Sequence, residues 1–208
     1  INLIVTMTCA YPLSRRDFPM RGIFSGIFLF TMFFSGGLIP TYILMTQIKF
    51  VNTIWAMLIP GAMSVYNMIL ARTFLSTSIP DDLHDAAQID GCTDAGFFFR
   101  IVLPLSKPIM AVLTLYYAVG HWNSYFNALI YLNNQKLYPL QLILRQILVA
   151  SQIDLGDLVD VESLVAKQGL ADLLKYSLII VSTAPIMCVY PFIQRYFIKG
   201  VMIGSIKG

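Results

Sequence analysis

Residues 85 to 104, DAAQIDGCTDAGFFFRIVLP, form an amphipathic segment within a chain that is otherwise oily. The segment carries four charged side chains, a glycine at position 91 and a proline at its end. The apolar runs before and after it are long enough to cross a bilayer, whereas charged groups of this density are rare inside a span. We therefore predict a short helical insert that lies on the membrane surface between two spans.

The composition of the chain is that of an integral membrane protein. Hydrophobic residues make up 57% of the 208 positions and charged residues only 12%, against roughly 25% charged residues in soluble domains. The mean hydropathy is +0.72. Charge-free runs that reach the roughly 18 residues needed to cross the hydrocarbon predict four spanning helices. These runs cover residues 22 to 48, 50 to 71, 108 to 135 and 176 to 194.

Residues 1 to 14 are also charge-free, but they are too few to cross the bilayer and lack the positive n-region of a signal peptide. We interpret them as the end of a further span. No internal repeat or low-complexity linker divides the sequence. We therefore predict a single membrane domain over residues 1 to 208.

Lysine and arginine predict the orientation of the chain in the membrane. Nine of them lie in the first loop, in the segment around 72 to 107 and at the C-terminus, and five lie in the intervening loops. The positive-inside rule predicts that residues 73 to 107 and the C-terminus are cytoplasmic and that 133 to 172 are external. This distribution accounts for the pI near 8.8 without a surface for nucleic acid.

The sequence offers no catalytic or metal-binding cluster. Cys9, Cys92 and Cys188 are widely spaced and indicate neither a disulfide framework nor a zinc site. No acidic residue falls inside a predicted span, and His84 and His121 are predicted on different sides, which disfavours an intramembrane enzyme, a channel or an ion-coupled carrier. The sequence also lacks a GxxxxGK[ST] phosphate loop, so it gives no signal of nucleotide hydrolysis.

The amphipathic insert begins with helix-start signals. Ser78 to Asp81 is typical of a capping box with Pro80 in the first turn. Asp81, Asp82 and Asp85 favour the positive end of the helix dipole. Because this helix carries aspartates and no cation on its polar face, docking to a protein is favoured over resting on lipid headgroups.

Further signals divide the insert into two pieces. Gly91 predicts that the first helix stops in a left-handed conformation, and Thr93 or Asp94 predicts that a second helix restarts there. Pro104 is expected to end the second piece. The small side chains at 86 and 87 predict a surface that enters a groove of a partner.

Seven residues of this region have the spacing of a known loop, and six of them also have its residue types. Asp85-Ala86-Ala87, Gly91, Ile101 and Leu103-Pro104 resemble the EAA loop of ABC importer permeases, with aspartate where that loop has glutamate. Asp90 and five further runs are similar to carbohydrate-uptake permeases related to the second maltose-importer permease, above all to their LplC/YtcP-type oligosaccharide branch. The runs are AYPLSRRDFPMRG (10 to 22), SGGLIPTYIL (35 to 44), LPLSKP (103 to 108), AVGHWNSYFNALIYL (118 to 132) and KGVMIGSIKG (199 to 208).

The resemblance implies an all-α, polytopic membrane helix bundle with the type I ABC importer permease fold and cytoplasmic coupling (EAA) helices. Residues 79 to 103 would be the coupling segment, which transmits force from an ATPase. Its coupling residues would be Asp85, Ala86, Ala87, Asp90, Gly91, Leu103 and Pro104. At the C-terminus, Lys207 and Gly208 would contact the ATPase subunits.

The same resemblance implies a permease subunit, not itself an enzyme, of an ATP-driven, binding-protein-dependent importer of sugars and above all of oligosaccharides. Its implied partners are a second permease in a heterodimer, two cytoplasmic ATPase subunits that bind ATP and Mg, and an extracellular or periplasmic sugar-binding protein. The implied location is a bacterial cytoplasmic membrane, with no cofactor on this chain. Permeases for polyamines or amino acids share the EAA pattern and stay an alternative, and a carrier outside the ABC class is a more distant one.

The stretch from 108 to 135 predicts the substrate path. At 100° per residue, one helix face carries Tyr116, Asn123 and Asn127, and a second polar face carries His121. Amides and tyrosines are suited to sugar hydroxyls, so we predict that these four residues line the path. For His121 the alternative is a hydrogen bond to a neighbouring helix.

Overall fold

Helices form the regular structure of this protein. The structure is a computed structural model, and it describes residues 1–153, 169 and 172–191. In chain order the helices are α1 (Asn2–Ser14), α2 (Arg21–Phe33), α3 (Leu38–Gln47), α4 (Trp55–Leu58), α5 (Val65–Ser78), α6 (Asp81–Ile89), α7 (Asp94–Phe97), α8 (Leu103–Leu105), α9 (Lys107–Trp122), α10 (Tyr125–Tyr131), α11 (Leu140–Ile153) and α12 (Asp172–Pro191). A π-helical turn, Phe98–Val102, joins α7 to α8, and a 3-10 turn, Gln135–Leu137, precedes α11. No strand occurs within the described ranges, in agreement with the all-α prediction.

The core lies where α1, α5 and α9 pack together, and the segment from α6 to α8 packs against it. The buried apolar side chains of this core are Met7, Ala10, Leu13, Met68, Ala71, Leu75, Ala87, Phe97, Phe98, Val102, Ile109 and Leu113. Full burial of a leucine, methionine or phenylalanine contributes about 1.5 to 3 kcal/mol in water-to-interior transfer. The amphipathic insert is therefore anchored to the helix bundle by its own apolar residues.

One described helix is long and apolar enough to cross a membrane by itself. It is α12, which overlaps the predicted span 176 to 194. The pair α2 and α3, and the pair formed by 94–105 and α9, pass the same test only when each pair is taken together, and they are bent by 109° and 78°. By length and composition the described residues thus provide one to three spans, and the prediction of four continuous spanning helices is wrong.

The predicted span from 50 to 71 is broken at several points. Asn52 has a left-handed φ of 61°, α4 lasts for only 4 residues, and the chain turns again at Pro60 and Gly61. Ser64 then caps α5, because its hydroxyl accepts a hydrogen bond from a backbone N–H at 3.5 Å. Proline, glycine and a serine cap interrupt a helix without adding charge, so a charge-free run does not reveal them.

The two ends of α1 have different neighbours. Just beyond its C-terminal end, Arg16 Nε lies 3.5 Å from Asp81 Oδ2 at the start of α6. At its N-terminal end, Asn2 Nδ2 donates a hydrogen bond to Gly61 O at 2.7 Å. The first loop and the amphipathic insert therefore lie at the same end of the bundle, which is consistent with the predicted topology. The C-terminal residues Lys207 and Gly208 lie outside the described residues.

Candidate functional site

The first helix of the insert ends at Gly91, as the sequence predicts. Gly91 has a φ of +77°, and its N–H donates to Gln88 O at 2.9 Å. The Cys92 N–H donates to Ala87 O, also at 2.9 Å. These two bonds form a Schellman motif, in which glycine adopts the left-handed conformation without the steric cost of a side chain. We call residues 79 to 103, with this turn at their centre, the elbow.

The start of α6 differs from the prediction. Ser78 is the last residue of α5 and does not cap α6, which begins at Asp81. Pro80 occupies the N-cap position with an extended backbone, and no side chain caps the helix. The extended residues separate α5 from α6, so the serine is too early in the chain to be the cap. Asp81 and Asp82 still lie in the first turn, where carboxylates interact favourably with the helix dipole.

The first helix of the elbow has an inward face and an outward face. His84 and Ala87 face inward, with exposed fractions of 3% and 8%. Asp85, Ala86 and Ile89 are exposed, and Ile89 is 87% exposed. The prediction that both alanines form one docking surface is therefore wrong for Ala87, which packs into the core of its own chain.

A buried histidine joins the two pieces of the elbow. His84 Nε2 lies 2.9 Å from Asp94 Oδ1 in α7. The His84 ring also contacts the Phe97 ring edge-on, with 4.9 Å between the ring centroids. These contacts connect α6 with α7. This contact between His84 and Asp94 is not predictable from the sequence, because a lone histidine in a helix has no distinguishing spacing.

The second piece of the elbow continues past its predicted end. Thr93 caps α7 as predicted, and its hydroxyl accepts a backbone N–H at 3.2 Å. A π-helical turn follows, in which the Leu103 N–H bonds to Phe98 O. Pro104 stands in the first turn of α8, where its missing N–H is not needed. The helix axis bends by 78° between α8 and α9, at Ser106.

Four of the other predicted coupling residues have the following positions. Asp90 and Gly91 are exposed at the end of α6, and Pro104 is exposed in α8. Leu103 is half-buried and packs on the core. The elbow thus divides its residues between an exposed outward surface and an inward surface that attaches it to the bundle.

A groove of about 720 Å³ runs along α9 and faces the residues between α4 and α5. We call it the α9 groove. Its polar lining residues are Ser64, Tyr66, Asn67, Tyr116, Tyr117, His121, Ser124 and Asn127. No aspartate, glutamate, lysine or arginine is among the described residues that line it. Hydroxyl and amide groups beside aromatic rings are suited to an uncharged polar ligand.

Hydrogen bonds to α1 hold two lining side chains in place. The Tyr117 hydroxyl lies 2.6 Å from Thr6 Oγ1 and accepts the Ser64 N–H at 3.1 Å. His121 Nε2 lies 3.0 Å from Asn2 Oδ1. The alternative given for His121 from the sequence, a hydrogen bond to a neighbouring helix, is therefore confirmed, although the same ring also lines the groove.

Three of the four predicted path residues meet in this groove. Tyr116, His121 and Asn127 line it. Asn123 does not line it, since it lies in the break between α9 and α10 and its Nδ2 donates to Val119 O at 3.0 Å. Placing Asn123 on the same face as Tyr116 requires one unbroken helix through residue 127. The helix is broken at residues 123 and 124, so Asn123 does not lie on that face.

The opposite wall of the groove was missed at the level of sequence. Ser64, Tyr66 and Asn67 line it from the start of α5. The relevant signal is the polar and helix-breaking composition around Pro60 and Gly61, within a run whose hydropathy predicts a single span. Broken helices in membrane proteins commonly supply such binding walls.

Comparison with known protein families gives a match over nearly the whole chain. Residues 3–203 match the family described as "Binding-protein-dependent transport system inner membrane component". Protein LplC of Bacillus subtilis (strain 168) is 41% identical over 210 residues, which cover 100% of this chain and 69% of that protein. The polygalacturonan/rhamnogalacturonan transport system permease protein YtcP of the same organism is 40% identical over 208 residues, which cover 100% of this chain and 72% of that protein.

A solved structure has the same fold. It is the crystal structure of a bacterial ABC transporter involved in the import of the acidic polysaccharide alginate. One of its chains is similar to this one with a TM-score of 0.79 and 31% sequence identity, over 94% of this chain and 69% of that chain. The likeness therefore extends from the sequence motifs to the arrangement of the helices.

Proposed function

This chain belongs to the family of binding-protein-dependent transport system inner membrane components, and we propose that it is a permease subunit of an ATP-driven importer of oligosaccharides. The α9 groove carries this proposal, because its described lining combines tyrosine, asparagine and serine, whose hydroxyl and amide groups can form hydrogen bonds to sugar hydroxyls. Similarity to the polygalacturonan/rhamnogalacturonan permease YtcP supports sugars over polyamines or amino acids. A cationic polyamine would also require carboxylates, which the described lining lacks.

We propose that the outward face of α6 docks on an ATPase subunit. Asp85 and Ala86 lie on this face beside Ile89, whose exposed apolar side chain is suited to a groove on a partner. Asp85 would pair with a basic group there. Movement of α6 would pass through the His84 to Asp94 contact and the π-helical turn into α9, which forms one wall of the groove.

The wider assembly follows from the same role. A permease of this kind would pair with a second permease, two ATPase subunits that bind ATP and Mg, and an external sugar-binding protein. Lys207 and Gly208 would contact the ATPase subunits. The apolar and unburied surface of α12 fits contact with lipid or with the second permease. The first loop and the elbow would face the cytoplasm, together with the C-terminus.

Alanine substitutions in the groove test the substrate path. Tyr116→Ala and Asn127→Ala should each lower oligosaccharide uptake about fivefold, the effect of losing one hydrogen bond of about 1 kcal/mol. Uptake is measured with a panel of labelled oligosaccharides in cells that express the complete transporter, and the amount of assembled complex is measured in parallel. Asn123→Ala is the matched control, because this amide lies next to the groove without lining it. Equal uptake by all three variants and the wild type would show that the groove is not the path.

Cysteine labelling tests the orientation independently of transport. In a cysteine-free background, Gln135→Cys should react with an impermeant maleimide on intact cells, and Arg16→Cys only after permeabilisation. Both positions are exposed, and the Arg16 side chain is 86% exposed, so accessibility within the protein does not limit the reaction. Reaction of Arg16→Cys on intact cells would reverse the proposed topology.

A further inference from the structure

A second cavity lies at the C-terminal end of α1, opposite the end at which Asn2 contacts Gly61. It has a volume of about 310 Å³ and is enclosed by the end of α1, the first loop and the junction of α5 with α6. Three arginines, Arg15, Arg16 and Arg21, line it, together with one aspartate, Asp81. None of its lining residues is shared with the α9 groove. This cavity, called the arginine cavity below, has no part in the proposed sugar path.

The positive charge of the arginine cavity is only partly neutralised by carboxylates. Asp17 accepts two hydrogen bonds from Arg15, through Nε and Nη2, each at 2.8 Å. The hydrogen bond from Arg15 lowers the pKa of the Asp17 carboxyl, so this pair stays ionised near neutral pH. No hydrogen bond within the described ranges uses Arg15 Nη1. Arg16 lies 3.5 Å from Asp81 and its side chain is 86% exposed.

Arg21 has no carboxylate partner within 4 Å among the described residues. The only hydrogen bond of its side chain among the described residues is a long one of 3.4 Å from Nη1 to Arg15 O. Arg72 Nε donates a hydrogen bond to Leu13 O at 3.0 Å, and this further cation does not neutralise Arg21. An anion beside Arg21 would supply the counter-charge that the described residues do not.

A buried hydroxyl in the same cavity also lacks a partner. Tyr11 lines the arginine cavity, and its hydroxyl is buried with no hydrogen-bond partner among the described residues. Its ring is fixed by packing, with 5.1 Å between its centroid and that of Phe98. An unsatisfied buried hydroxyl costs free energy, so a hydrogen bond to a ligand is the state in which Tyr11 is fully satisfied.

We propose that the arginine cavity binds a phosphate group, with Arg15 and Arg21 as its cationic ligands and the Tyr11 hydroxyl as a neutral donor. Guanidinium groups bind phosphate oxygens through paired N–H groups, and a tyrosine hydroxyl supplies a further hydrogen bond. Two sources carry this chemistry at a membrane surface: the headgroup of an anionic phospholipid, and a free phosphate ion. Because the cavity touches the first residue of α6, an occupied site would brace the base of the elbow.

Lipid retention tests the first source. The purified transporter complex is equilibrated in mixed micelles with equal amounts of phosphatidylglycerol and phosphatidylcholine, and bound lipid is counted by native mass spectrometry. The wild type should retain phosphatidylglycerol preferentially. Arg21→Gln should weaken this binding about fivefold, which corresponds to about 1 kcal/mol for one arginine near a charged membrane surface.

Tyr11→Phe separates binding from folding. The substitution keeps the ring, and the hydroxyl that it removes has no partner within the described chain, so the melting temperature without ligand should not fall. Binding should weaken several-fold, since one hydrogen bond is lost. Lys136→Gln is the matched control, because it removes an exposed cation in the turn before α11, away from this cavity, and should leave binding unchanged.

A thermal-shift measurement tests the second source. Inorganic phosphate is added to the lipid-free complex in a neutral detergent, with chloride at equal ionic strength as the reference. A phosphate-specific rise in melting temperature that Arg21→Gln and Tyr11→Phe both reduce assigns the site to free phosphate, whereas selective retention of phosphatidylglycerol alone assigns it to lipid. The proposal is overturned if neither probe distinguishes the wild type from these two variants.

Discussion

The elbow is held together by a contact between residues that are close in sequence, whereas the α9 groove is held together by contacts between residues that are far apart in sequence. In the elbow, the His84 to Asp94 contact joins residues only 10 positions apart. In the groove, the Thr6 to Tyr117 and Asn2 to His121 contacts join residues 111 and 119 positions apart. A substitution on the exposed face of the elbow should therefore leave the packing that forms the groove intact, whereas the groove depends on the packing of α1 against α9.

The largest effect is expected from enlarging a side chain on the inward face of the elbow. Ala87→Trp places an indole in a position that is 8% exposed, so it should lower the free energy of unfolding by about 1 to 3 kcal/mol or prevent folding. The yield and melting temperature of the purified chain in detergent measure this effect. We therefore expect Ala87→Trp to fold poorly, and not only to bind the ATPase subunits less well.

The adjacent alanine supplies the matched comparison. Ala86 is exposed, so Ala86→Trp should leave the melting temperature of the isolated chain unchanged and reduce its co-purification with the ATPase subunits. If Ala86→Trp unfolds the chain and Ala87→Trp does not, the assignment of the two faces of α6 is wrong.

A smaller effect is expected at the turn of the elbow. Gly91 has a φ of +77°, and a Cβ there would meet no atom within 4 Å. Gly91→Ala should therefore cost about 1 kcal/mol through backbone strain alone. Gly91→Asn should cost less, because asparagine tolerates the left-handed region better than other residues. ATPase activity stimulated by the loaded binding protein, measured for both variants, should follow this order, and a worse result for asparagine would exclude backbone strain as the cause.

The smallest of these effects is expected in the groove. Tyr117→Phe removes the hydroxyl that joins Thr6 to the Ser64 N–H, while the ring remains. Hydrogen bonds between membrane helices contribute about 0.6 kcal/mol on average, so the melting temperature should fall only slightly. The loss of oligosaccharide uptake should be larger than this small change in stability would explain, since Tyr117 also lines the groove. Thr6→Val is a control that breaks the same contact from outside the groove lining.

The distance in sequence between contacting residues also explains which features could be predicted from the sequence. The turn at Gly91 and the cap at Thr93 depend on residues that are adjacent in the chain, and both were predicted. The wall formed by Ser64, Tyr66 and Asn67 depends on tertiary packing, so no local signal revealed that it faces α9. Family membership was predictable because the EAA spacing lies within twenty consecutive residues.

Errors in the predicted spans have a different origin. Hydropathy reports how apolar a run is, but it does not report the direction of the helix axis. The 109° bend between α2 and α3 and the 78° bend between α8 and α9 leave the composition of each run unchanged. Asn123 was assigned to the wrong face for the same reason, because the helical count continued across a break.

The π-helical turn at Phe98–Val102 makes the permease tolerant of a one-codon change in the coding sequence at one point. A π-turn accommodates one more residue than an α-turn, through a bond such as that from the Leu103 N–H to Phe98 O. An in-frame deletion of a single codon within this turn would allow it to revert to α geometry, and the residues after it would keep nearly the same direction around the helix axis. The face of α9 that carries Tyr116 would then still line the groove. The same deletion early in the α-helical part of α9 would rotate every residue after it by about 100°, because an α-turn has no extra residue to lose.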